Sequence, residues 1–199
     1  MISDAFTALH EREWDRLARP GTWLTGEQRV DIARAARGET EPDGPLAVAA
    51  RRVYDSPATI TQPWIAELEA GGMALLEYVE LLGLTARLRA LDSLVFGHEQ
   101  PLWELPSPVA GAPSREGVAA RIDGGWVPTI GVAFPTTVLS AVPTENDAMD
   151  DVHGVLYLAP SGDRQGFSMG NMQVVRDGLG RSQMEFVAAR TSLLNDCFF

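Results

Sequence analysis

The sequence predicts an all-α fold, and three observations carry that expectation. Apolar residues recur at helical spacing along most of the 199 residues. Helix start and stop signals bracket the periodic stretches. Few segments show the alternating, β-branched pattern of a strand. A chain of this length can bury a proper core as one large domain or two small ones.

The first helix is expected over about 2–18, with Ile2, Phe6 and Leu9 on one side, Trp14 and Leu17 continuing the apolar surface, and Pro20-Gly21 ending it. Thr25-Gly26-Glu27-Gln28 reads as a capping box, in which Thr25 caps the helix and Gln28 reaches back at N3. That helix places Ile32, Ala33 and Ala36 on one face and stops at Gly38. Pro45 suits the first turn of a short helix through Ala49, Val53 and Tyr54. Trp64, Ile65 and Leu68 mark another, closed by Gly71-Gly72. The central helix, about Met73 to Phe96, is apolar around more than half its circumference, which means burial on several sides. Pro101 to Pro128 carries five of the thirteen prolines and reads as a linker over the surface. Beyond it, short helices are expected at Pro135–Val142, ended by Pro143, and at Val152–Leu158, with a loop over Ser161–Gly170. The last helix begins near Leu179-Gly180 and places Met184, Val187, Ala188, Thr191 and Leu194 on one face.

Composition narrows the function classes. A net charge of −11 argues against non-specific binding to nucleic acid or to an anionic membrane, both of which need a basic patch. No apolar run reaches the ~20 residues of a membrane helix, and the start, Met1-Ile2-Ser3-Asp4, has no signal-peptide pattern. The single cysteine excludes an internal disulfide framework and fits a reducing, cytoplasmic setting.

Two segments echo each other. The stretch from Thr25 through Gln28, Ile32 and Ala33 aligns without gaps on that from Gly180 through Gln183, Val187 and Ala188. The second of these, running on through Glu185 to Asn195-Asp196-Cys197-Phe198-Phe199, resembles the signature of the alkylhydroperoxidase D-like (carboxymuconolactone decarboxylase) family. That signature is a glutamate, eleven residues, Cys-x-x-Cys, three residues and a histidine; Glu185 and Cys197 have the required separation. Supporting likeness lies in Phe134-Pro135-Thr136 onward to Pro143, Leu156-Tyr157-Leu158, Trp23-Leu24-Thr25 onward to Ala33, and Tyr78 to Gly83. The whole looks like the long, two-repeat members of the family. The resemblance implies a degenerate helical repeat over 1–106, a linker over 107–126, and a second repeat starting in 127–199 and incomplete at its C-terminus.

On one straight helix, Glu185 and Cys197 would lie roughly 18 Å apart, too far to cooperate. Asn195-Asp196 offers a break, since both are poor helix-interior residues and good N-caps. A new helix starting there would place Cys197 in a first turn, where the dipole favours thiolate. The family resemblance then implies a thiol-dependent peroxidase or disulfide oxidoreductase. Cys197 matches the resolving cysteine, and Glu185 a histidine–glutamate proton relay. It implies a hydroperoxide or other small-molecule substrate, a dithiol reductant, no cofactor and a homo-oligomer. The attacking cysteine and the histidine are missing from the 199 residues, so no turnover is expected from them. The coding sequence is expected to continue with cysteine directly after Phe199 and histidine four residues later. The apolar stripe of the last helix, without a return helix over it, is expected to self-associate.

Other candidates are weaker. His10, His98 and His153 lack metal-ligand spacing and read as surface or capping residues. Asp147, Asp150 and Asp151 read as a solvated acidic face, and the five tryptophans as core or linker anchors. Two further classes stay open: a carboxymuconolactone decarboxylase-type lyase, which needs convergent His, Arg and Glu around a pocket, and a non-catalytic oligomeric scaffold.

Overall fold

The computed structural model describes residues 2–157, 175–176 and 178–194, and those residues are mostly helical, with seven α-helices. They fall into two compact units, Met1–Val152 and His153–Phe199. The division comes after Val152, not across 107–126, because the proline-rich stretch packs onto the first unit.

The first unit is built from six helices with legible ends. In α1 (Asp4–Ala18), Ser3 caps the start by accepting from the Phe6 N–H, and Phe6, Leu9, His10, Glu13 and Leu17 are buried. In α2 (Gly26–Arg37), both halves of the Thr25–Gln28 capping box form. Its end is a left-handed Gly38, φ 72°, whose conformation lets the Gly38 and Glu39 N–H groups reach back to the Ala35 and Arg34 carbonyls. Pro45 opens α3 (Gly44–Asp55). The Thr61 hydroxyl caps α4 (Gln62–Ala70), which closes at Gly71.

The central α5 (Leu75–Gly97) is buried on several sides, as its pattern predicts, through Tyr78, Val79, Leu81, Leu84, Leu88, Leu91 and Val95. Small residues let α2 and α3 close on one another: Ala33, Ala36, Ala49 and Ala50 are all fully buried between them and α5.

The stretch after α5 is a strap rather than a free linker. The Val109 N–H donates to the Ala18 carbonyl at 2.8 Å, Ser114 to Gly21 at 3.1 Å and Arg115 to Thr22 at 2.9 Å. Leu105 packs on the core, and Val127, Leu139 and Val142 join it.

The helix expected over Pro135–Val142 is instead a run of turns. Thr137 and Ser140 take up local backbone groups: the Phe134 N–H donates to Thr137 Oγ1, and Ser140 Oγ to the Thr137 carbonyl. Such side-chain bonds compete with helix. Pro143 starts α6 (Pro143–Leu156) rather than stopping a helix, because its missing N–H costs nothing in a first turn. α6 therefore begins well before Val152.

In the second unit, a two-residue hairpin, β1 (Val175–Arg176) with β2 (Leu179–Gly180), leads into α7 (Arg181–Leu194). The Ser161–Gly170 loop and Cys197 lie outside the described residues. The covered arc of α7 follows Arg181, Met184, Glu185 and Ala188, so it is rotated from the predicted stripe. Val187 and Leu194 are 61% and 67% exposed, and Phe186 and Leu193 are 76% and 65% exposed beside them. No described helix is long and apolar enough to cross a membrane.

Candidate functional site

All sixteen basic residues are arginines, and four of them join four carboxylates in one alternating chain through the first unit. Starting at the buried end, Glu80 of α5 accepts from the Trp23 N–H at 2.6 Å and from Arg29 Nη1 of α2 at 2.5 Å. The same Arg29 nitrogen donates to Glu145 Oε1 of α6 at 2.9 Å. Arg87 Nη1 of α5 donates to Glu145 Oε2 at 2.6 Å, and Arg87 Nε to Glu13 Oε2 of α1 at 2.7 Å. Glu13 then pairs with Arg16, Arg16 with Asp151, and Asp151 with Arg12, where the chain reaches the surface. Five of these side chains, Glu13, Arg29, Glu80, Arg87 and Glu145, are at most 5% exposed. Asp147 and Asp150 do lie on a solvated face, but Asp151 is an ion-pair partner, its carboxyl held below the ordinary value because Arg12 and Arg16 outweigh burial.

Arginine suits such a site because its guanidinium stays charged when buried and offers several donors in a fixed plane. Two glycines make the room. A Cβ on Gly83, between Glu80 and Arg87 on α5, would come within 2.9 Å of Glu145 Oε2. A Cβ on Gly21 would overlap Glu80 and Arg29. Glycine to alanine inside a helix ordinarily gains about 1 kcal/mol. Gly83→Ala is expected to lose about 1–3 kcal/mol instead, through overpacking. Urea unfolding, with Gly97→Ala as a control in open space on the same helix, measures the reversal.

The two carboxylates on Arg29 are driven apart electrostatically. Burial pushes both up. For Glu145, Arg87 and Arg29 outweigh burial and hold its pKa below the ordinary value. For Glu80, burial prevails over Arg29, and the Glu145 carboxylate adds to the rise. Opposed shifts on neighbouring carboxylates are the pattern of an acid–base pair, but here the groups are consumed by one another. The adjoining crevice, lined by Glu13, Arg29 and Arg87 together with Leu84, Leu88 and Leu91, holds about 10 Å³, the space of about one water. The chain therefore ties four helices together; this crevice has no room for an organic substrate.

A second buried group stands beside it. Arg37 forks onto Asp92 at 2.6 and 2.9 Å, the Tyr54 hydroxyl donates to Asp92 at 2.7 Å, and Arg37 Nη1 reaches the Trp103 carbonyl at 2.8 Å. Burial, then Asp92, push the Tyr54 phenol up to about 12. His10, expected at the surface or a cap, is fully buried against Trp103. His98 does cap α5, and His153 is exposed. Among the described residues, no group of three or more His, Cys, Asp or Glu is disposed to hold a metal ion.

The second unit holds the other candidate, Glu185. The Tyr157 hydroxyl donates to Glu185 Oε1 at 2.7 Å, and Arg181, one turn back on α7, pairs with the same oxygen. The Arg181 guanidinium lies over the Tyr157 ring, on which His153 stacks at 5.0 Å. Burial, then Glu185, raise the Tyr157 phenol. The Glu185 side chain is 39% exposed. Sequence reasoning found Glu185 but neither Tyr157 nor Arg181 as its partners.

The described residues are thus mostly helical, and the first unit is organised around a buried arginine–carboxylate chain. Compared with protein-family models, curated proteins and solved structures, the chain matches none.

Proposed function

We propose that the chain is an alkylhydroperoxidase D-like protein, a thiol-dependent peroxidase or disulfide oxidoreductase whose redox chemistry falls to Glu185 and Cys197. The first unit would be its closed, degenerate helical repeat. The observation that carries this reading is the setting of Glu185. Its carboxylate is half-exposed and held by Tyr157 and Arg181 early in α7, a setting in which a proton-relay group is both oriented and within reach of solvent. The setting would be cytoplasmic, with a hydroperoxide as substrate and a dithiol as reductant.

With one cysteine the 199 residues cannot close an internal disulfide, so no dithiol-dependent turnover of an organic hydroperoxide above the rate of free thiol is expected. Adding a cysteine directly after Phe199 and a histidine four residues further on is expected to create turnover that Cys197→Ser and Glu185→Gln both remove. An extended chain that stays inactive would sink the redox reading.

A non-catalytic, self-associating scaffold is the second reading, favoured by the exposed Phe186, Val187, Leu193 and Leu194 of α7. Light scattering at tens of micromolar tests it: a monomer counts against it. Among the described residues no observation favours the lyase, since the buried Glu13, Arg29, Glu80, Arg87 and Glu145 are bonded to one another beside a water-sized crevice.

A further inference from the structure

His10 is the one histidine the helix packing hides completely, and neither of its ring nitrogens has a hydrogen-bond partner. It sits one turn from both Phe6 and Trp14 on α1, with its edge against Trp14 at 4.0 Å and its face stacked on the Trp103 indole at 3.6 Å and 18°. Trp103 belongs to the strap. Two neighbouring strap carbonyls are anchored at the same point: Trp103 accepts from Arg37, and Glu104 from Trp14 Nε1 at 2.6 Å. Beyond them the strap has no regular secondary structure, and three backbone bonds fasten it to the α1–α2 corner. A segment held by so few bonds opens at lower free energy than the helical core.

A neutral imidazole can be tolerated in this box; a charged one has no acceptor there. From α5, Asp92 faces it, but that carboxylate is already taken by Arg37 and the Tyr54 hydroxyl. From α2, Arg37 faces it with like charge. On its own helix, Glu13 is committed to Arg87 and Arg16. The strap brings the Trp103 ring and backbone carbonyls that are already bonded. The attraction of an imidazolium for an indole face is smaller than the cost of stripping water from an unpaired charge.

We propose that His10 and Trp103 form an acid-sensitive latch: protonation of His10 drives it out from under Trp103 and frees the strap from the α1–α2 corner while the helical core stays folded. Burial, opposed by Asp92 and reinforced by Arg37, brings the imidazole from 6.5 down to about 4. The latched state therefore favours the neutral ring. Its full stability is present above pH 6.5, weakens as the pH falls below that value, and is exhausted near pH 4. Linkage over that interval raises the ratio of open to latched strap about 30-fold between pH 8 and pH 5.

Amide hydrogen exchange of the whole chain, corrected for the intrinsic pH dependence of exchange, tests this. The Val109, Ser114 and Arg115 amides are expected to lose about 30-fold in protection between pH 8 and pH 5, while α5 amides keep theirs. His10→Phe, which keeps an aromatic ring without a proton site, is expected to hold strap protection constant. Equal losses in His10→Phe, no loss in the parent protein, or strap and α5 amides falling together would each overturn the latch. If His10→Phe does not fold, the imidazole titration by NMR decides. A midpoint near 4 with the strap opening alongside supports the latch, and one near 6.5 overturns it.

Discussion

Glu145→Ala is expected to lower the unfolding free energy by about 3–5 kcal/mol at pH 7, the cost of breaking a buried pair by removing one partner. Glu145 bridges Arg29 and Arg87, and its loss leaves both guanidinium groups nine-tenths buried with one carboxylate fewer. Urea unfolding measures the difference. Because the native pKa of Glu145 is depressed, its contribution is complete above the ordinary value of 4.5 and is lost as pH falls through the lower native value. The gap between Glu145→Ala and the parent protein should therefore be constant from pH 7 down to about 5 and shrink in more acidic solution. A gap below 1 kcal/mol at pH 7 would mean that the ion chain is dispensable.

Asp92→Ala is expected to cost about 3 kcal/mol by the same mechanism. Arg37 would lose its forked partner and Tyr54 its acceptor, both inside the core. Two readouts separate this from a simple cavity. The Tyr54 phenol, held at about 12 by burial and Asp92, should fall toward 10. Strap amides should also exchange faster, since the Arg37 that Asp92 orients is what grips the Trp103 carbonyl. Asp92→Asn, which keeps the shape and an acceptor for Tyr54, should recover part of the stability. Unchanged urea midpoints in both variants would refute the role given to Asp92.

Much of the first unit was legible because its boundaries are chemical. Thr25, Gln28, Gly38, Pro45 and Gly72 each do locally what their residue type dictates. What local chemistry could not supply was the strap and the start of α6. Thr137 and Ser140 divert backbone bonds from a helix that the apolar pattern invites, and Pro143 reads equally as a stop or a start. The ion chain was missed although its trace is in the sequence. Glu13 lies between Leu9 and Leu17 at i±4, Arg29 is in step with Ile32, Ala33 and Ala36, and Glu80 and Arg87 run with Leu84, Leu88 and Leu91. A charge in register with an apolar stripe, in a chain whose cations are all arginine, is the sign of a buried pair. Which charge meets which is set by packing between helices, and helical periodicity within one segment carries no information on that. Glu185 is singled out by the resemblance of the last segment to a family signature, whereas Tyr157 and Arg181 become its partners only once the start of α7 is placed.

The alternating chain also has a consequence for the order of events on the ribosome. Its links join α1 and α2 to residues more than a hundred positions later: Arg29 to Glu145, and Arg12 and Arg16 to Asp151. When the first hundred residues have emerged, their helices can already form, yet Arg29 and Arg87 still await Glu145. An early core would have to bury those groups incompletely neutralised, which is costly. Closing such distant pairs also pays loop entropy before any bond rewards it. The first unit should thus stay loose during synthesis and lock in a single late step, when α6 arrives.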